Sequence, residues 1–369
     1  MFSLSREERA GVRASNKTQF SLATRAADPD IRRLLRENPM PGSISLSLER
    51  EPNYFADANQ PGEIKQTIVA YESSRVVCVG NCTTRLRFVN GKPHRVGYLG
   101  GLRLDGSVAG RFDILRRGYD FFRELQASAP ADFYFTSIAA ENHRARRLLE
   151  RNLRGMPRYE FLGDFVTLLL PTERRSPDRH VPVATSVGIG SDTGTARRAE
   201  QLNQVNQQFQ LAPHWTADQL TALHQLDLRD DDWFGAAALW DQRCFKQTAI
   251  RGYAPWLGFL RPALNLLARL TNSPRLPVVG SILSHAFVLL GASPCDLDLI
   301  RNLRNIASER GIDWLTLGFA AHDPRLKAIR QHSRCREYRS CLYLVRWPAL
   351  GGAASDLDRR ILAPEVALL

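Results

Sequence analysis

The residues whose types and spacing can do chemistry lie between Val96 and Leu149. Val96-Gly97-Tyr98-Leu99-Gly100-Gly101-Leu102-Arg103-Leu104 reads as a strand and runs into Asp105-Gly106-Ser107-Val108-Ala109-Gly110-Arg111. Phe112, Leu115, Tyr119, Phe122 and Leu125 then recur at helical spacing. A strand that enters a Gly-containing turn and then a helix N-terminus is anion-binding geometry. The free N–H groups of the turn and the helix dipole favour negative charge at the same spot. Arg111 either adds to that field or is a solvated arginine at a helix start. A second strand, Phe133-Tyr134-Phe135-Thr136-Ser137-Ile138, leads into the basic run Glu141-Asn142-His143-Arg144-Ala145-Arg146-Arg147-Leu148-Leu149, where Asn142 is placed to cap a helix.

Together these segments resemble the acyl-CoA-binding half of the GNAT N-acetyltransferase superfamily. The family motif runs hydrophobic-x-hydrophobic, a short spacer, then Gln/Arg-x-x-Gly-x-Gly/Ala. Leu102-Arg103-Leu104 matches the strand end and Gly110 the first obligatory glycine. Ser107 stands where Gln or Arg is usual, and Phe112 where the second small residue is usual. The second family motif, Asn-x-x-Ala, is met by Asn142 and Ala145. Its frequent tyrosine acid falls at Leu149, which has no proton to donate.

The resemblance implies an α/β (α+β) fold of two GNAT-like domains, each a mixed, mostly antiparallel central sheet flanked by helices. It implies that main-chain N–H groups of Val108, Ala109, Gly110, Arg111 and Phe112 hold a pyrophosphate. It also implies that Leu104 N–H meets a thioester carbonyl and that Asn142 contacts the CoA arm. Two central strands would part near Gly100-Gly101. Acetyl-CoA is then the co-substrate, with no metal, and the acceptor is a small-molecule or peptide amine. A non-catalytic acyl-CoA sensor is the alternative. The general base is not legible. Glu141 and Tyr159 are candidates beside Asp105, Tyr134, His94 and His143, and each also has a plainer role as a cap, turn or packed surface residue.

The elements that must position these residues are partly legible. Phe20 to Thr24, Ile44 to Leu48 and Ile64 to Tyr71 read as strands, and Ile31 to Arg36 as a helix capped by an Asp of Asp28-Pro29-Asp30. Arg85 to Tyr98 reads as a hairpin turning at Asn90-Gly91, with a bulge or close backbone approach at Gly100-Gly101. The second half repeats the first: Asp132 to Asn142 lies without gaps over Asp313 to Asp323, and each unit runs on to a Tyr and a closing strand. The second copy lacks the Gly-rich turn, because Gly291 to Asp296 contains Pro294 and no Gly-x-Gly. Asp323 there replaces Asn142.

The expected divisions are a polar leader over 1–17, an acyl-CoA-binding domain over 18–172 and a linker over 173–182. A degenerate copy over 183–348 and a tail over 349–369 follow. Trp240-Asp241-Gln242-Arg243 ends an apolar strand and reads as a hairpin terminus or the edge of an acceptor pocket. Gly252 to Val288 carries an amphipathic helix, with Pro262 early in it, that packs between the halves or docks on a membrane surface.

The 369 residues are 44% hydrophobic and 24% charged, a globular balance that allows two domains. No apolar run reaches membrane-span length and no secretory segment opens the chain, which points to the cytoplasm. The net charge is +12. Lysine occurs only at 17, 65, 92, 246 and 327, so arginine supplies most of the excess. It is spread along the chain without an arginine–aromatic repeat, which argues against nucleic acid as a partner. The oligomeric state is not legible. Cys78, Cys82, Cys244, Cys295, Cys335 and Cys341 lack zinc-site spacing and read as buried free thiols.

Overall fold

The computed structural model describes residues 18–58, 60–172, 192–235, 237–270, 275–289, 297–347 and 356–369. The leader, the linker over 173–182 and the turn Gly291 to Asp296 lie outside them. The first half contributes β1 (Gln19–Leu22), α1 (Asp28–Glu37), β2 (Ile44–Glu49), β3 (Ile64–Glu72), β4 (Arg75–Val89), β5 (Lys92–Leu104), α2 (Phe112–Gln126), β6 (Phe133–Ala139), α3 (His143–Leu149) and β7 (Arg158–Pro171). The second contributes α4 (Asp192–Asn206), α5 (Ala217–Ala222), β8 (Trp233–Phe234), β9 (Ala237–Trp240), β10 (Gln247–Tyr253), α6 (Pro255–Leu270), β11 (His285–Leu289), α7 (Leu297–Glu309), β12 (Trp314–Ala320), α8 (Pro324–His332) and β13 (Arg336–Arg346).

Local chemistry explains the elements that hold the turn. β4 and β5 form the expected hairpin, with Asn90 at φ 52° and Gly91 at φ 80°, the two left-handed residues a type I′ turn needs. Further along, Asn81 faces Gly100 while Val79 faces Arg103, so β5 carries a bulge, and Gly101 turns it at φ 64°. α1 buries Ile31, Leu34 and Leu35. Its cap position is Ala27 rather than an aspartate. Asp28 lies inside the first turn because its carboxylate is engaged by Tyr54 N at 2.6 Å and Arg32 Nε at 2.8 Å.

Among the described residues, eleven strands make one sheet in the order β1-β3-β4-β5-β6-β13-β7-β12-β11-β9-β8, and β2 and β10 form a separate ribbon. β5 and β6 run parallel in the first half, and β11 and β12 run parallel in the second. β6 and α3 begin on residues that the gapless overlay pairs with the starts of β12 and α8. The closing strands interleave: β13 enters between β6 and β7, and β7 lies between β13 and β12. Leu168 and Leu170 on β7 and Leu342 and Tyr343 on β13 are fully buried, as strands covered on both faces must be.

One core cluster spans the halves, joining Val96, Phe135 and Phe165 to Trp215, Trp240 and Leu342. Residues 356–369 close it, with Leu362, Val366 and Ala367 buried. Gly318 on β12 makes this possible. A Cβ there would lie 2.6 Å from Phe165 Cζ and 2.7 Å from Val366 Cβ.

Two expectations are corrected. Cys78, Cys82 and Cys341 are buried free thiols, but Cys244 is exposed and Cys335 half-buried. Cys244 sits in the turn between β9 and β10, where no layer covers it. α6 does not pack between the halves, since Leu257 is its one buried residue among those described. Its polar side faces the protein instead: Asn265 Nδ2 donates to the Leu276 carbonyl at 3.1 Å and Asn265 Oδ1 accepts from Leu276 N at 2.7 Å. Pro255 takes the first turn, where a missing N–H costs nothing, and Pro262 falls in the helix interior.

Candidate functional site

The site is built where β5 parts from β6. Their parallel pairing ends at Leu99 and Thr136, where Thr136 Oγ1 donates to Leu99 O at 2.7 Å. β5 continues for five residues with β4 alone. Asp105 N donates to Val77 O at 2.8 Å, which makes 77 and 105 a hydrogen-bonded pair. Antiparallel pairs alternate, so the facing pair Cys78 and Leu104 is not hydrogen-bonded across the strands. The Leu104 N–H therefore points away from β4, to the side that β6 has left.

The turn after Leu104 is tight. Asp105 Oδ1 accepts from Ser107 N at 3.0 Å and from Ser107 Oγ at 2.7 Å. The Ser107 amide, helped by the Ser107 hydroxyl and Arg75, holds the Asp105 carboxyl down at about 2 against the cost of burial. The amides of Val108, Ala109 and Arg111 bond to the carbonyls of Asp105, Gly106 and Val108. Of the five amides from Val108 to Phe112, those of Gly110 and Phe112 stay outside this internal set. The Val108 side chain is buried beneath the turn with Ile114 and Leu104. Arg111 is ion-paired to Glu72 at 2.6 Å and Asp113 at 3.0 Å, so its charge is already matched.

Gly110 has φ 88°, a conformation that favours glycine, and a Cβ there would lie 3.3 Å from Arg144 Nη2. α3 thus brings a guanidinium to the turn. Arg144 is exposed and has no carboxylate partner among the described residues. It sits between the two motif residues Asn142 and Ala145, in a basic run where nothing sets it apart from its neighbours in the sequence. Asn142 caps α3, its Oδ1 accepting from Ala145 N at 3.1 Å. Arg103 is likewise without a carboxylate partner among the described residues and donates to the Leu102 carbonyl at 2.8 Å. Leu102 itself is exposed.

The two catalytic candidates are in different surroundings. Glu141 is exposed. Tyr338 is partly exposed; desolvation raises its hydroxyl pKa, Arg103 opposes this and the Glu141 charge adds to it, so the three residues lie near one another. Tyr159 is buried with its hydroxyl 2.5 Å from that of Tyr119. Burial, then the Tyr119 neighbour, raises its pKa well above the ordinary value, so it holds its proton. Leu149 is buried in the same cluster. The interleaved β13 adds Tyr343, whose hydroxyl accepts from Arg146 Nε at 3.0 Å and donates to Glu150 Oε1 at 2.6 Å. No local signal announces that residue, because its strand arrives from the other half. In the second copy, Asp323 is buried, caps α8 and is paired with Arg325 at 2.6 Å. Arg243 pairs with Asp241 at 2.6 Å and Gln242 donates to Ala367 O at 3.0 Å, so that segment closes a turn over the core.

A second polar group is half-buried. Asp57 accepts from Arg50 at 2.6 Å and Lys65 at 2.5 Å. Burial, then the Arg50 charge, lowers the Lys65 pKa to about 8, and the same two effects lower Lys246 to about 7. Lys246 Nζ donates to Leu369 O at 2.6 Å. Between about pH 7 and 10 the unfolded chain holds more protons on these lysines than the folded one, so their effect is to make stability rise with pH. The Lys246→Met variant is expected to show a shallower rise, measured by urea unfolding at both ends of that window. An unchanged slope would remove Lys246 from this account.

No family model matches the chain, and no curated protein does. Solved structures do. It overlays the Saccharomyces cerevisiae N-myristoyltransferase with bound myristoyl-CoA at a TM-score of 0.55 and 11% identity, over 93% of this chain and 88% of that one. The chain shares the fold of that structure. Also similar is a tandem GNAT protein from the clavulanic acid biosynthesis pathway, with a TM-score of 0.49 and 10% identity over 92% of this chain and 100% of that one. A GCN5-related N-acetyltransferase from Sphaerobacter thermophilus gives 0.45 and 13% over 89% and 95%. At these identities the likeness is one of fold. Within this fold the parallel pair β5–β6 of the first half is echoed by β11–β12 in the second.

Proposed function

We propose that the first GNAT-like half binds acyl-CoA and transfers its acyl group, acetyl in the simplest case, to an amine in the cytoplasm. The observation that carries this reading is the gap beyond Leu99 and Thr136, with an inward backbone N–H at Leu104 and a basic turn at Gly110 and Arg144. In this reading the gap takes the thioester and the turn takes the phosphates. Asn142 and Ala145 present α3 to the CoA arm. The amine attacks the acyl carbon, and the Leu104 N–H stabilises the oxyanion that develops. The nitrogen loses a proton to Glu141, directly or through water, and the CoA thiolate leaves as the carbonyl re-forms. The yeast N-myristoyltransferase supports the frame, since its structure holds myristoyl-CoA.

A second reading, an acyl-CoA sensor without turnover, is favoured by the committed state of the nearby hydroxyls. Leu149 cannot donate, and the Tyr159 hydroxyl is held by Tyr119. Two measurements separate the readings. Calorimetry with acetyl-CoA and CoA is expected to give a Kd on the order of micromolar. Thiol release from acetyl-CoA, screened over amines, is expected only for the enzyme. Binding without release for any amine supports the sensor, and no binding to either ligand sinks both.

A further inference from the structure

α6 turns its apolar side to solvent. Trp256, Phe259, Leu266, Leu267 and Leu270 are exposed, Phe259 at 85% and Leu270 at 78%, and Val278 extends the patch beyond the helix. The inverse of the usual arrangement holds underneath, where Arg261 and Asn265 bond to the Leu276 carbonyl and the Arg261 guanidinium lies 5.6 Å over the Tyr253 ring. A contiguous apolar face of this kind marks a contact surface.

Charge identifies what it contacts. From Gln242 to Cys295 the chain has no Asp or Glu; Arg243 and Arg251 are paired with Asp241 and Glu49 from outside the segment, which leaves Arg261, Arg269 and Arg275 as the cations of α6 and its flank. Arg269 and Arg275 flank the patch, are exposed, and have no carboxylate partner among the described residues. A second copy on this face would set cation against cation with no acid from the segment to meet it. An anionic lipid surface supplies both an apolar layer and the counter-charge. No described helix is long and apolar enough to cross a membrane, so α6 would lie in the interface rather than span it.

We propose that α6 docks the protein on anionic lipid bilayers, with Trp256, Phe259, Leu266 and Leu270 entering the acyl boundary and Arg269 and Arg275 meeting the headgroups. The full chain carries its own probe. Of its six tryptophans, Trp256 is exposed and Trp215, Trp233, Trp240, Trp314 and Trp347 are buried.

The test is tryptophan emission and flotation with vesicles of phosphatidylcholine alone or mixed with phosphatidylglycerol. Mixed vesicles are expected to shift the emission to the blue and to float the protein, less so at high salt. The shift is expected to vanish in Trp256→Phe. Phe259→Glu with Leu266→Glu, both exposed, is expected to lower partitioning at least about tenfold. Arg269→Glu with Arg275→Glu is expected to remove the preference for phosphatidylglycerol. No shift and no flotation with either vesicle overturns the proposal, as does equal flotation of the Phe259→Glu, Leu266→Glu variant. A dimer in light scattering that this variant dissolves, without vesicle binding by the parent, assigns the face to a second copy and also overturns it.

Discussion

Gly110→Glu is expected to weaken acetyl-CoA binding by at least about 100-fold, equivalent to about 2.7 kcal/mol. Three effects act in the same direction. The new carboxylate brings negative charge to the place where a phosphate would sit. It lies beside Arg144, whose Nη2 is 3.3 Å from the Cβ position, and so takes the free guanidinium for itself. The backbone at φ 88° also disfavours any side chain, at a cost of about 1–2 kcal/mol. Because that strain could disturb the turn by itself, Arg144→Ala is the companion variant. It is exposed and leaves the backbone alone, and it is expected to weaken binding about tenfold through loss of one charge-assisted contact. Calorimetry on both variants, with unfolding curves to show that each is folded, decides the matter. Parent-like affinity in both would move the site away from this turn.

Asp57→Asn is expected to cost about 1–3 kcal/mol of stability, the range for leaving half-buried charged groups without their hydrogen-bond partner. Asp57 is the carboxylate between Arg50 and Lys65, and the Lys65 side chain is only 8% exposed. Burial alone would raise the Asp57 pKa, but Arg50 and then Lys65 overcome it and hold it well below the usual carboxylate range. A lowered acid pKa stabilises the fold above the unfolded value of about 4, and this contribution is lost as pH falls through the folded value. The amide variant should therefore differ from the parent at neutral pH and converge with it in acid. Adding Lys65→Met removes one stranded cation and is expected to recover a large part of the loss. A cost below about 1 kcal/mol at neutral pH would mean that water already screens this group.

Particular elements show what was legible. Asn90-Gly91 announced its hairpin because two consecutive left-handed residues favour few side chains. Gly100-Gly101 announced the bulge because glycine admits the positive φ that Gly101 adopts there. The overlay of Asp132 to Asn142 on Asp313 to Asp323 predicted two strand–helix units, and β6–α3 and β12–α8 are those units. The α6 pattern gave the helix but not the side that it buries. Periodicity records that apolar residues share a face, and it is silent on whether protein, lipid or water lies opposite.

The sequence by itself determined the local geometry: the strand, turn and helix around Gly110, the cap at Asn142, the hairpin, and the fact of repetition. Each of these rests on backbone conformations or contacts within a few residues, and side-chain type restricts those directly. Only the tertiary structure decided that β13 enters between β6 and β7, that Tyr343 reaches α3, that Arg144 stands over Gly110, and that Lys246 lies near Lys65 and Asp57. These pairings join residues far apart in the chain. Many partners fit a buried apolar strand or a long basic side chain equally well. The choice among them is made by the packing of the whole core, where each strand edge must find a partner and each buried charge a counter-charge.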